Sequence, residues 1–296
     1  MVCFLDVLGF ETKFNLLGLG GILEKYEKLI QVINEQNEST EKWFGTMNFS
    51  EGAYWTAEQD AFISQRIYGT YASDSILLFA NADFPENSYP KALNLTVEER
   101  SKRAKDPGTG WMYQTIPCDN FLNVCNEIIC HSIEIGFPLR GCIAMGEAVL
   151  HLDRRIFLGK PLLEAVRLEN SQVCIGTVFT KSFMLQLVPK RYQISYNSHF
   201  KAEIPPNFSG TILDWPRHWR NTRKDNLQNA IDLLNINPEY DEYYKKTQSI
   251  IDVSNSTSEL FNSPNDIYIK NVYPQFSSEL LELFCRPVRI QKKETD

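Results

Sequence analysis

The sequence predicts an α+β protein. Three observations carry this. A short apolar run rich in Val, Leu and Phe, Val2 to Phe10, is ended by a glycine turn and reads as a strand. Two further apolar runs, Phe62 to Tyr71 and Ile76 to Ala80, flank the polar stretch Ala72–Ser75 and read as a hairpin. Between these strands lie long segments of helical periodicity.

The elements follow in order. After Gly9, Leu16, Leu19, Leu23, Tyr26, Ile30 and Ile33 fall at helical spacing, which predicts a helix over roughly Lys13 to Gln36. Asn37 to Gln59 alternates polar and aromatic residues and reads as loop-rich. Asn81 to Pro117 holds four prolines and a charged run, and reads as a surface insertion with at most one short helix. A second helix is expected from an Asp119 N-cap to a Gly136 stop, with Phe121, Leu122, Val124, Cys125, Ile128, Ile129 and Ile133 as its apolar face. Leu139 to Leu150 reads as a strand in which glycines allow close backbone approach. Gly159 opens a helix through Leu168, Gln172 to Phe179 is a strand, and Lys181 to Val188 a helix.

The order strand, helix, hairpin, helix, strand is the split β-α-β-β-α-β unit of ferredoxin-like sheets. In that unit the first strand lies beside the hairpin, so Asp6 and Asp74 can meet despite their separation in sequence. From about Arg191 the pattern changes. Tyr192–Tyr196 and Thr211–Asp214 read as edge strands, and Trp215-Pro216-Arg217 breaks the second. Asn226–Leu234, Glu239–Ile251 and Ser278–Phe284 read as helices. The expected organisation is a main domain over 1–190 and a C-terminal α/β extension over 191–296, packed on the core.

Composition narrows the function. The chain has 296 residues, 43% of them hydrophobic, and a net charge of −7, so it carries no basic footprint for nucleic acid. Seven scattered cysteines without a CxxC pair read as reduced core residues of a cytoplasmic protein. No apolar stretch approaches the ~20 residues that span a bilayer, and no basic leader precedes the first strand. The four histidines show no metal-ligand spacing.

Two carboxylates stand out. Asp6 sits inside Val2-Cys3-Phe4-Leu5-Asp6-Val7-Leu8-Gly9-Phe10, where burial without a partner would cost several kcal/mol, so a cation partner is expected. Asp74 lies in Ser73-Asp74-Ser75, where one apolar strand turns into the next. Together on neighbouring strand ends they form a hard oxygen site suited to Mg²⁺ or Mn²⁺. The plainer reading makes Asp6 a helix cap and Asp74 a turn residue.

Phe4-Leu5-Asp6-Val7-Leu8-Gly9-Phe10, Ser73-Asp74-Ser75 and Gly159–Arg167 resemble, in order and setting, the class III nucleotidyl cyclases, over roughly Val2 to Thr180. Arg140-Gly141-Cys142-Ile143-Ala144-Met145-Gly146-Glu147 and Leu213-Asp214-Trp215-Pro216-Arg217 are similar to the bacterial pyrimidine cyclases of Pycsar anti-phage systems. The resemblance implies a class III cyclase homology domain with a C-terminal extension. It implies two divalent metals, Mn²⁺ or Mg²⁺, held by Asp6, Asp74 and the carbonyl of Val7. It implies a triphosphate cradled by the turn Leu8, Gly9, Phe10, Glu11 and Thr12, and Arg167 stabilising charge on the pentavalent phosphorus. These groups would be shared across a head-to-tail homodimer with composite sites.

Family enzymes carry an Asn one turn before the arginine, where this chain has Leu163. Adenine-specific relatives read the base with Lys and Asp at the positions of Thr70 and Ile156. Their loss here favours a pyrimidine, UTP first and CTP second. The product, a 3′,5′-cyclic monophosphate, would act through a separate effector in anti-phage defence. An adenylate or guanylate cyclase, and a catalytically silent nucleotide-binding module, are the alternative readings. For Arg167 the alternative is a surface pair with Glu164 or Glu169.

Overall fold

The computed structural model describes residues 1–46, 65–82, 107–185, 188, 190–196, 198, 200, 203–234 and 238–258. It is an α+β protein built on one mixed sheet. Nine strands are described: β1 (Val2–Val7), β2 (Tyr68–Ala72), β3 (Ser75–Phe79), β4 (Leu139–Ala144), β5 (Ala148–His151), β6 (Ile156–Gly159), β7 (Gly176–Thr180), β8 (Gln193–Ser195) and β9 (Phe208–Leu213). The described helices are α1 (Phe10–Thr46), α2 (Pro107–Glu134), α3 (Lys160–Ser171), α4 (Trp215–Thr222), α5 (Leu227–Asp232) and α6 (Asp241–Ser258).

Seven strands form the main sheet in the order β2-β3-β1-β4-β7-β9-β8. The first four are antiparallel, so β1 runs between the hairpin and β4, which is the split β-α-β-β-α-β arrangement. β4 and β7 pair in parallel, joined by a crossover that contains α3. Two strands from beyond residue 190, β9 and β8, continue this same sheet.

Strand alternation sorts the core into two layers. Cys3, Leu5 and Val7 of β1 pack with Ile22, Tyr26 and Leu29 of α1 and with Phe121, Leu122 and Cys125 of α2. Val2 packs on the other face, with Ala165 and Leu168 of α3 and Ile250 of α6. Trp215 and Trp219 of α4 are fully buried in the first layer. Gly141 of β4 answers to a close approach, since a Cβ there would collide with the Phe4 carbonyl and Leu5 of β1. The six described cysteines are free and buried, and Cys285 lies outside the described residues.

Several expectations need correction. α1 extends to Thr46, so 37–46 is helix rather than loop. Its predicted face also fails at the start. Gly18 adopts φ 67, ψ 177 and breaks the phase, leaving Leu16 80% and Leu19 73% exposed while Ile22 is buried. α2 begins at Pro107, so Asp119 is an interior residue paired with Arg191 and not an N-cap. Gly136, at φ 71, does end that helical stretch. The run from Leu139 to Leu150 is two strands, and β6, which pairs with β5, was not expected. Lys181 to Val188 contains only a 3₁₀ turn among its described residues, at Phe183–Leu185. Residues 62–64 of the expected hairpin and the helix at Ser278–Phe284 lie outside the described residues.

Candidate functional site

β1, an interior strand of the sheet, places Asp6 near its carboxyl end, directly opposite Ser75 of β3 and Arg140 of β4. The two-residue turn Ser73-Asp74 joins β2 to β3, with Ser73 in the left-handed region at φ 57. The Val7 N–H donates to the Asp74 carbonyl at 3.0 Å, which ties the hairpin turn to the end of β1. Tyr26 of α1 fastens the same corner, its hydroxyl donating to the Ser73 carbonyl at 2.9 Å. Burial, then the charges of Asp74 and Asp6, push the Tyr26 phenol well above its ordinary value, so it remains a neutral donor beside both carboxylates. Asp6, Val7 and Asp74 are thus brought to one corner of the sheet.

Asp6 has its cation. Arg140 Nη2 donates to Asp6 Oδ2 at 3.2 Å, and Arg140 Nε lies 2.5 Å from Glu169 Oε1 of α3. That second contact is a close ion pair without the alignment of a hydrogen bond. Nη1 donates to the Tyr243 hydroxyl of α6 at 2.9 Å and to the Gln172 carbonyl at 3.3 Å. Burial opposes the Arg140 charge, but Glu169, Tyr243 and Asp6 outweigh it and hold the guanidinium above its ordinary value. The spacing of apolar residues gave no sign of Glu169 or Tyr243. A carboxylate buried on the apolar face of α3, beside Ala165 and Leu168, was the available signal for the first.

The turn after β1 is set by Gly9, at φ 69, and α1 starts at Phe10. The Leu8 N–H donates to the Pro138 carbonyl at 3.0 Å, so that N–H is already engaged within the fold. Gly9, Phe10, Glu11 and Thr12 remain at the helix start. A Cβ on Gly9 would lie 3.3 Å from the Tyr240 ring, so residues just before and within α6 stand over this corner.

Thr70 pairs with Leu77, which pairs with Phe4. Alternation therefore places Thr70 on the face of the sheet that bears Asp6, two strands out and one row along. Ile156 opens β6, and its neighbour Phe157 packs on Phe79 with ring centroids 6.1 Å apart. Phe79 is opposite Val2, so Ile156 sits toward the other end of β1 from Asp6. Arg167 and Leu163 occupy the exposed side of α3. Glu169 turns inward to Arg140, and Glu164 meets Ser182 and Lys160, so the surface pair considered for Arg167 is not formed among the described contacts.

The donors at this corner are oxygen only, which fits a hard divalent ion. Among the described residues no group of three or more His, Cys, Asp or Glu gathers that could hold a metal. Two carboxylates and a carbonyl would leave the rest of an octahedral shell to water and phosphate, as Mg²⁺ commonly accepts. No described helix is long and apolar enough to cross a membrane. Comparison with protein-family models and with curated proteins finds no match to this chain.

Proposed function

We propose that the chain is a class III nucleotidyl cyclase that converts a pyrimidine nucleoside triphosphate, UTP before CTP, to its 3′,5′-cyclic monophosphate and pyrophosphate. The observation that carries this reading is the corner itself: Asp6 at a strand end, Asp74 in the adjoining turn, and a glycine turn leading into a helix. Asp6, Asp74 and the Val7 carbonyl would hold Mn²⁺ or Mg²⁺, two per site. The bound metal would lower the pKa of the ribose 3′-OH and offset charge on the leaving pyrophosphate.

The chain's own groups do the rest. The N–H groups of Gly9 to Thr12 face the triphosphate with the positive end of α1. Thr70 meets the base on the Asp6 face, where a hydroxyl accepts or donates. Arg167 supplies a permanent planar charge for the phosphoryl oxygens. Its place on the exposed side of α3 supports service to a second subunit's site in a homodimer. The product would be a second messenger for a separate effector in anti-phage defence, in the cytoplasm, with no role for nucleic acid or membrane.

Leu163 favours a second reading. It is 59% exposed one turn before Arg167, where an Asn is expected of a cyclase, and an apolar side chain offers the substrate no hydrogen bond. A silent nucleotide-binding module would tolerate it. The test is incubation of the pure protein with each of the four ribonucleoside triphosphates and Mn²⁺, with products identified by mass. Cyclic UMP or CMP supports the proposal, cyclic AMP or GMP moves it to a purine cyclase, and no product favours the silent module.

A further inference from the structure

Arg140 is shared by two carboxylates that differ in freedom. Glu169 is 2% exposed in its side chain and faces the guanidinium at 2.5 Å as a buried counter-charge. Asp6 is 17% exposed and lies at the end of its strand, beside the glycine turn. Tyr243 comes from α6, beyond residue 190, and accepts a hydrogen bond from the same guanidinium while its ring stands 5.7 Å from it. Arg140 is therefore fixed on the Glu169 side and reaches outward to Asp6.

A guanidinium bound to a metal-ligating carboxylate has two opposed effects. It orients the carboxylate, and it repels an incoming cation while using one of the carboxylate's lone pairs. Pairing of β1 on both sides sets the Asp6 backbone, so the guanidinium can orient only the side chain beyond it. Repulsion of a doubly charged ion at a few ångströms outweighs that orientation.

We propose that Arg140 is a positioning residue that acts as a built-in counter-ion: it competes with the divalent cation for Asp6, and Tyr243 of the extension keeps it in the bridging pose. This rests on the reading of Asp6 as a metal ligand. It gives the extension a task at the site, since loss of the Tyr243 hydroxyl lets the guanidinium pivot on Glu169 and release Asp6. Weak loading of the corner before substrate arrives also favours entry of the ion together with the triphosphate.

The test is titration of Mn²⁺ alone into the full chain, with free ion read from its electron paramagnetic resonance signal. The double variant R140M/E169Q removes a charge of each sign, so the net charge of the corner is kept. It should bind Mn²⁺ about tenfold more tightly than wild type, a change of about 1.4 kcal/mol. Tyr243→Phe should tighten binding by roughly 2- to 3-fold, as expected for one hydrogen bond to a charged group that is partly replaced by water. A merely structural role for Arg140 predicts the opposite sign. Equal, weaker or absent binding in R140M/E169Q, with Asp6→Asn losing the ion, overturns the inference and spares the metal reading. Asp6→Asn binding Mn²⁺ as well as wild type overturns the metal reading itself. Should the double variant lack a folded circular dichroism spectrum, Tyr243→Phe decides, and unchanged or weaker binding in it overturns the inference.

Discussion

Two arginines in this molecule each bridge a pair of acidic side chains, and only one of the two arrangements has the makings of a site. Arg223, just past α4, holds Glu127 through Nη2 at 2.5 Å and Glu134 through Nε at 3.2 Å, both on α2. His218 adds a contact to Glu127 at 2.8 Å. The contacts there run between the sides of two helices, and the Trp219 ring stands 5.7 Å from the guanidinium. Arg140 also meets a buried carboxylate, Glu169, but its second acid, Asp6, lies near the end of an interior strand beside Asp74 and a left-handed glycine. Buried paired charge is thus no mark of function by itself. The difference is a second carboxylate in the adjoining turn and a helix start within reach.

The sharpest way to break this contrast is to remove one acid from each network. If Asp6 holds a metal as proposed, Asp6→Ala should lower turnover by at least ~10³-fold, because a lost metal ligand acts on the transition state. The melting temperature should change little, since Asp6 is partly exposed. Glu127→Ala should do the reverse, leaving turnover per folded molecule near wild type and lowering the melting temperature. A fully active Asp6→Ala enzyme would place the chemistry elsewhere.

Mixing tests whether the corner is complete within one chain. Asp74→Ala and Arg167→Ala should each be inactive. In the proposed homodimer, random re-pairing of two such chains gives half mixed dimers, each with one whole site, so about a quarter of wild-type activity should return. Subunit exchange shown by a labelled chain, with no recovered activity, would place the Asp74 and Arg167 of one site on the same chain.

The Glu127 network makes a pH prediction that the Asp6 corner does not. Burial alone would raise Glu127, but hydrogen bonds from His218 and Arg223 pull it from 4.5 to about 2. A carboxyl lowered on folding stabilises fully above its ordinary value, and that stability fades as pH falls toward the folded value. The shift corresponds to roughly 3 kcal/mol at neutral pH. Glu127→Gln should therefore be less stable than wild type by that order in urea at pH 7. The gap should narrow as pH drops from about 4.5 toward 2.

What the sequence disclosed about the two networks differs as much as the networks do. The strand bearing Asp6, the turn bearing Asp74 and their adjacency were legible, because strand period and hairpin chemistry are local. A cation partner for Asp6 followed from the cost of burial, but its identity did not, since Arg140 is 134 residues away. Glu127 and Arg223 drew no notice, because helix-side charges read as solvated until tertiary packing covers them. Leu16 and Leu19 misled for a related reason. Their spacing is helical, yet the left-handed Gly18 turns them away from the face that Ile22 and Tyr26 share. The Asp119 cap failed because Pro117 reads as a stop, whereas α2 runs through it from Pro107.

The smallest expected effect isolates how far the extension reaches into the corner. Gly9 and Gly18 both adopt a positive φ, 69 and 67, so alanine at either is strained. Their surroundings differ. A Cβ at Gly18 meets nothing within 4 Å, whereas at Gly9 it meets the Tyr240 ring at 3.3 Å. Both variants should lose stability, and at Gly9 the Tyr240 ring must also give way. Turnover should separate them further. Displacing Tyr240 also disturbs Tyr243, whose ring centroid is 5.7 Å away, and through it the guanidinium on Asp6. Gly9→Ala should therefore change the Mn²⁺ concentration at half-maximal rate, while Gly18→Ala leaves it in place. Identical metal dependence in the two would confine the extension to packing, and the Arg140 corner would then differ from the Arg223 clamp only by its turn.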